Sequence, residues 1–122
     1  MRKYPQSKII RLDSYSVAAA WTSLALAAVL YVLFLAGLPL VPLLFAAGAL
    51  YVLSLVAHLA LAFAHKCAEC SKHPTIQGFA QVHPHASSSG IDSWAGVVKG
   101  VIKRGQFVCI HCGAAYSVSP AA

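Results

Sequence analysis

The feature that most constrains this chain is a run of 52 consecutive residues, positions 14–65, that contains no Asp, Glu, Lys or Arg. All nine Lys and Arg residues and all three Asp and Glu residues lie outside this run. A soluble domain carries about a quarter charged residues, whereas this chain carries 10% and is 59% hydrophobic. This composition excludes a disordered chain, and the apolar excess is more than one small core could bury. We therefore expect a membrane protein with a small polar module attached.

Gly and Pro residues divide the charge-free run into two parts. Residues 37–42, with the sequence GLPLVP, interrupt helical continuity. Each flanking part is long enough to cross a hydrocarbon core of about 30 Å as a helix, at about 1.5 Å per residue. Because unsatisfied backbone groups cannot lie in lipid, the sequence predicts a transmembrane hairpin over residues 14–64. Its helices are predicted over about 17–36 and 43–64, with the turn at 37–42.

The positions of the basic residues predict the orientation of this hairpin. The turn carries no basic residue. Six basic residues lie near the two outer ends of the hairpin: Arg2, Lys3, Lys8, Arg11, Lys66 and Lys72. By the positive-inside rule, the basic N-terminal segment 1–13 and the C-terminal module 65–122 are predicted to face the cytoplasm. The chain would then be an integral protein of the inner or plasma membrane. A cleaved signal peptide is less favoured, because the first apolar run is too long and a second follows it at once.

His58 is the one side chain well inside the second predicted helix that ionises near neutral pH. A histidine within a membrane can relay protons or ligate haem. Neither predicted helix contains an Asp, a Glu or a second His that would support such a role. We therefore expect a structural His58 that hydrogen-bonds to a partner such as Ser23 or to a lipid head group.

The module at residues 65–122 contains every cysteine of the chain, in two C-x-x-C pairs: Cys67, Cys70, Cys109 and Cys112. Thiols that face the cytosol stay reduced, so disulfides are not expected. Two such pairs predict a tetrahedral thiolate site for a metal ion, most often zinc, with each sulfur about 2.3 Å from the ion. Iron, either alone or in an iron–sulfur cluster, and a redox-active dithiol are the alternatives.

The residues around the second pair predict a β-hairpin. Residues 106–108 and 115–118 are typical of strands, and Gly113 permits a left-handed turn between them. The segment FVCIHCG at 107–113 resembles the zinc knuckle of zinc-ribbon and rubredoxin-like proteins, and the first pair matches that knuckle only as a bare C-x-x-C. The resemblance implies a small α+β zinc-ribbon-like domain, a metal-stapled platform with no implied activity. The 38 residues between Cys70 and Cys109 exceed the roughly 15–20 of a compact ribbon, which leaves room for an inserted element.

Three histidines lie in the Pro-containing loop of this insertion. His73, His83 and His85 could form a second metal or partner site, because a His-x-His pair suits zinc or copper. No carboxylate or further cysteine accompanies them.

An amphipathic helix is predicted over residues 91–104. Apolar residues recur at helical spacing, and basic residues lie in its last turn, where they complement the helix dipole. We expect this helix to pack on the metal module and to form a core with Trp94, Phe107 and Tyr116. A position at the membrane interface is the alternative.

The chain shows no arrangement of residues that predicts catalysis. A Ser/His/Asp set, a phosphate-binding glycine loop and paired carboxylates are all missing from the sequence, and a four-cysteine zinc site leaves no coordination position open. We expect a non-catalytic, membrane-anchored zinc-binding scaffold or accessory subunit, whose partners are the lipid bilayer and subunits of a larger membrane protein complex. No small-molecule substrate is evident.

Two other functions remain as alternatives. The first is a zinc ribbon that binds nucleic acid while tethered to the membrane. Nucleic acid is not favoured as a partner, because membrane topology accounts for several of the basic residues and no aromatic residues alternate with them. The second is a metal-sensing or metal-delivery protein that uses the loop of His73, His83 and His85.

Overall fold

Two long apolar helices are the largest elements of the computed structural model, which describes residues 2–79, 81–87 and 94–118. Helix α1 spans Ser7–Leu35 and helix α2 spans Val41–Ala64, and they pack against each other as an antiparallel pair. α1 begins at Ser7 rather than at Val17, so the segment before the predicted membrane helix is mostly helical. The connection is short: Gly37 adopts a positive φ of 99°, and Pro42 lies in the first turn of α2, where a missing N–H is harmless.

The outer faces of both helices are apolar and exposed. Only 17% of the most apolar window of α1 and 11% of that of α2 are buried. Leu35, Phe45, Leu53 and Phe63 are each exposed by 60% or more. The core helix of a soluble protein would bury most of such a surface. Both helices are therefore long and apolar enough to cross a membrane, as the sequence predicted.

A small three-stranded sheet lies at the open end of the helix pair. Its strands are β1 (Arg2–Lys3), β2 (Gln106–Val108) and β3 (Ala115–Ser117), in the order β1-β3-β2. β2 and β3 form the predicted antiparallel hairpin, with Phe107 opposite Tyr116. β1 pairs with β3 in parallel, with Arg2 opposite Tyr116. Residues 2–3 therefore belong to the sheet of the cysteine module, while residues 7–13 belong to α1.

The predicted amphipathic helix is present as α4, Trp94–Arg104, and a short helix α3 spans Pro84–Ser87. Residues 91–93 of the predicted helix lie outside the described residues. α4 buries Val97, Val98 and Val101 and packs against both β2 and α1, so the expectation that it packs on the module is confirmed. A Cβ at Gly100 would lie 2.5 Å from the carbonyl oxygen of Gln106, so this glycine lets α4 approach β2 closely.

The core of the module forms where the sheet, α4 and the first turns of α1 meet. Phe107 and Tyr116 are almost fully buried and stack at 5.5 Å between ring centroids, and Trp94 packs against the same cluster. The predicted core of these three aromatic residues is confirmed. Tyr4 and Ile10, which the sequence analysis did not place in the core, are completely buried in it.

Candidate metal centre and the adjoining polar cluster

The four predicted ligands come together at one point. The Sγ atoms of the four cysteines all lie within 4.8 Å of one another. Sγ of Cys67 is 3.6 Å from Sγ of Cys112, and Sγ of Cys70 is 3.8 Å from Sγ of Cys109. Four sulfurs that each lie about 2.3 Å from a central ion form a tetrahedron with edges of about 3.8 Å. All four thiols are free of disulfides, so the group can hold a metal ion.

The two cysteine turns are built alike. The amide of Ser71 donates to the carbonyl of Cys67, and the amide of Gly113 donates to that of Cys109, both at 2.9 Å. The amide of each first cysteine donates in turn to the carbonyl of the fifth residue after it, at 2.9 and 2.8 Å. Ser71 and Gly113 both have a positive φ, of 60° and 78°. The first pair, a bare C-x-x-C by sequence, therefore has the same backbone turn as the second.

The environment of the thiols favours one thiolate before any metal binds. Burial raises the pKa of Cys67, but hydrogen bonds from the Tyr116 hydroxyl, at 3.4 Å, and from nearby backbone amides outweigh it and lower this pKa to about 7. Burial raises the pKa of Cys109, and the nearby Cys67 raises it further. Burial is also the main reason that the pKa of Cys112 is raised. A bound cation would stabilise all four thiolates, so metal binding must displace protons.

Beside the cysteines lies a buried polar cluster centred on Asp13. The Asp13 side chain is completely buried. It accepts hydrogen bonds from Nδ1 of His58, from Nε2 of His65 at 2.9 Å and from the Thr75 hydroxyl at 2.6 Å. These groups come from α1, from α2, from the residue directly after α2 and from the loop beyond it. A buried carboxylate costs several kcal/mol unless it is paired, so this cluster fixes the module to the helices.

Tyr4 extends the cluster to the end of β1. Its hydroxyl donates to the Lys66 carbonyl at 2.8 Å and lies 3.1 Å from Nδ1 of His65. The other ring nitrogen of His65 contacts Asp13. A chain of polar contacts thus runs from Tyr4 through His65 and Asp13 to His58.

The expectation for His58 was wrong about its partner. Ser23 donates instead to the Ala19 carbonyl of its own helix, at 2.6 Å. The reason is the early start of α1, which places Asp13 inside the helix and facing α2. The buried positions Ile10, Asp13, Val17 and Ala20 recur at helical spacing. That recurrence, which extends upstream of Val17, is the sequence signal that could have revealed the longer helix.

The three loop histidines are placed in two different settings. His73 hydrogen-bonds through Nδ1 to the His65 carbonyl at 2.8 Å. The rings of His83 and His85 contact each other edge-on at 4.9 Å. Among the described residues, these three do not form a group of ligands within reach of one ion. The suggested second site therefore has no three-ligand geometry in residues 2–79, 81–87 and 94–118.

His111, between the two cysteines of the second turn, has a role that the sequence analysis missed. Its Nε2 lies 3.1 Å from the His73 carbonyl and 3.0 Å from the Ile76 carbonyl. Both carbonyl oxygens can accept a hydrogen bond from this nitrogen, so His111 connects the loop after the first cysteine pair to the second pair.

Arg2 forms an ion pair with Glu69 that connects β1 to the first cysteine turn. An exposed ion pair of this kind contributes only about 0–1 kcal/mol to stability.

Comparison of the chain with protein-family models, with curated proteins and with solved structures gives no match. The chain is therefore described by its own structure. It carries a four-cysteine candidate metal centre on a small three-stranded sheet, and a buried carboxylate connects this sheet module to two long apolar helices.

Proposed function

We propose that this protein is a non-catalytic, membrane-anchored zinc-binding scaffold or accessory subunit that docks onto a larger membrane protein complex. The observation that carries this proposal is the direct attachment of the module to the helices. Cys67 follows Ala64, the last residue of α2, almost directly, and Asp13 bridges α1, α2 and the loop of the module. A platform held in this way keeps a constant position and orientation relative to the lipid.

The proposal places α1 and α2 across the inner or plasma membrane as a hairpin. Their exposed apolar faces support this placement. β1 precedes α1 in the chain and β3 follows α2, and the two strands pair side by side. Both outer ends of the hairpin must therefore lie on one side of the bilayer. The basic residues at these ends favour the cytoplasmic side.

Zinc is the metal that we propose for the cysteine centre. Four thiolates at tetrahedral spacing suit a structural zinc ion, which has no open position for a substrate. Zinc binding contributes on the order of 10–16 kcal/mol in small modules, enough to decide whether a module of this size folds. Iron is the alternative, since the same four sulfurs can ligate it.

Phe79 is the side chain that we propose as a docking contact. It lies on the loop between the two cysteine pairs, and its side chain is fully exposed. Aromatic residues are enriched at the centres of protein interfaces, where they supply much of the binding free energy. An exposed aromatic ring on this module suits contact with a partner subunit.

The test is purification of the full chain in a mild detergent, followed by mass spectrometry and metal analysis. We expect about one zinc ion per chain, lost in Cys67→Ser and in Cys112→Ser. We also expect membrane protein subunits to co-purify with the natural chain and to be depleted with Phe79→Ser. Ile102→Ser, a similar change on the half-exposed outer side of α4, is the matched control and should retain them. A chain that folds without metal, or that purifies alone, would contradict the proposal.

A further inference from the structure

A pocket of about 450 Å³ opens beside the polar cluster, and none of the four described cysteines lines it. Its walls are formed by the end of α2, by the loop at residues 75–78 and by Trp94 at the start of α4. The volume falls within the range of about 300–1,000 Å³ that is typical of small-ligand sites. Neither the metal site nor the scaffold role makes use of it.

His58 offers this pocket a hydrogen-bonding atom. Its Nδ1 contacts Asp13, and within the described part of the chain no hydrogen bond reaches its Nε2. The buried carboxylate fixes the orientation of the ring. Nε2 can therefore accept a hydrogen bond from a ligand hydroxyl, or donate one to a ligand carbonyl when the ring is protonated.

Aromatic and uncharged walls favour a flat, neutral head group. The ring of Trp94 stacks on His58, at 5.3 Å between centroids and 19° between planes, and Phe63 lines the same pocket. No Lys, Arg, Asp or Glu is among the described residues that line it. A phosphate or carboxylate would lack the charged partner that such groups bind strongly.

An exposed apolar face of α2 leads away from the pocket. Leu59 forms part of its wall, and Val52 and Phe45 follow at intervals of seven residues, which places all three close to one face of the helix. They are exposed by 53%, 56% and 75%. Gly48, to which a Cβ could be added without contact, lies in an apolar groove of about 660 Å³ on this part of α2. At about 1.5 Å per residue, the path from Leu59 to Gly48 is roughly 16 Å long.

We propose that this pocket binds the ring of a lipid-soluble quinone or quinol, with a ring oxygen at Nε2 of His58 and the apolar tail along α2. A neutral oxygen-bearing ring matches the head pocket, and a long hydrocarbon tail matches the exposed path beyond it. The inference rests on the membrane placement proposed above, and it requires neither the metal nor a partner subunit.

The test is a titration of the full chain in phosphatidylcholine nanodiscs with decylubiquinone, followed by tryptophan fluorescence. The chain has two Trp residues, Trp21 and Trp94, whose ring centroids lie 6.0 Å apart, so a bound quinone should quench both. We expect saturable quenching that persists in Trp21→Phe, because Trp94 lines the pocket. The tail-free ring compound, ubiquinone-0, should bind more weakly than decylubiquinone.

Three variants on α2 test the pocket. His58→Leu should weaken binding by at least about tenfold, the loss of a hydrogen bond to a positioned group. Leu59→Phe narrows the pocket without touching Asp13 and should weaken binding as well. Leu50→Phe makes the same change at another exposed position of α2 and should bind like the natural chain.

Three results would overturn the inference. These are quenching that does not saturate, equal affinity of Leu59→Phe and the natural chain, and displacement of the quinone by phosphatidic acid, which would assign the pocket to a lipid head group. Resistance of the protein to extraction by alkaline carbonate is measured in parallel. An extractable protein contradicts the membrane placement itself, whereas an inserted protein that binds no quinone contradicts only this inference.

Discussion

Ser71 and Gly113 occupy equivalent positions in the two cysteine turns, and both have a left-handed backbone, with φ of 60° and 78°. Glycine adopts this conformation without steric cost, whereas a residue with a Cβ pays roughly 1–2 kcal/mol. The two halves of the four-cysteine group thus share one backbone geometry, and one half carries a conformational cost that the other lacks. The pair allows the cost of each turn to be measured separately.

Replacement of Gly113 should damage the metal centre. In Gly113→Ala the new Cβ would overlap the ring of His83, whose Cε1 would lie 2.5 Å away, and the left-handed backbone would be strained as well. We expect a loss of more than about 2 kcal/mol in the free energy of unfolding, together with weaker metal binding. Thermal unfolding of the zinc-loaded protein in detergent measures the loss of stability, and chelator competition measures the loss of metal affinity.

Gly78→Ala is the matched control for this change. Gly78 also has a positive φ, of 59°, but a Cβ added there meets no atom within 4 Å. In this variant the free energy of unfolding should fall only by the cost of the left-handed backbone, about 1–2 kcal/mol. Its metal affinity should be unchanged. Equal losses in the two alanine variants would show that the contact with His83 contributes nothing.

Ser71→Gly should stabilise the first cysteine turn. The glycine removes the steric cost of the left-handed backbone, although greater freedom of the unfolded chain offsets part of the gain. We expect the free energy of unfolding to rise by up to about 1 kcal/mol, with zinc content unchanged. Denaturant titration of the zinc-loaded protein measures this effect, and a clear loss of stability would mean that Ser71 contributes through its side chain.

Asp13→Ala should separate the module from the helices. The substitution leaves His58, His65 and Thr75 without their shared acceptor, and each buried donor that is left unpaired costs about 1–3 kcal/mol. We expect faster proteolysis of residues 65–118 in the folded, zinc-loaded protein. Ser16→Ala, at a partly exposed position of the same helix, should digest like the natural chain. Unchanged proteolysis of Asp13→Ala would contradict the role given to the polar cluster.

Metal affinity should depend on pH. The depressed pKa of Cys67, about 7, means that its thiolate is favoured above pH 7 and is lost as the pH falls through this value. The raised pKa values of Cys109 and Cys112 keep these thiols protonated at neutral pH until a metal displaces the protons. Affinity should therefore fall by at least about tenfold per unit as the pH decreases from 8 to 6. Chelator competition at pH 6, 7 and 8 measures this trend, and a constant affinity would exclude thiolate ligation.

Features that depend on long or local patterns could be predicted from the sequence. The charge-free run predicted two long apolar helices, and the residues around Cys109 and Cys112 predicted the strands, the left-handed glycine and the convergence of the four thiols. Features that depend on contacts between distant segments were missed. A two-residue strand such as β1 has no periodicity to detect. The contact between Asp13 and His58 requires the relative position of two helices, which no local pattern encodes.

The parallel pairing of β1 with β3 has a consequence for the order in which the chain assembles. Arg2 lies opposite Tyr116, with 113 residues between them, and at 5–20 residues per second a ribosome needs roughly 6–23 seconds to add these residues. β1 therefore has no partner strand while both helices are synthesised. In the proposed membrane placement, β3 can join β1 only when both outer ends of the hairpin lie on the same side of the membrane. A chain in which only one of the two helices has crossed the membrane could therefore not complete the sheet.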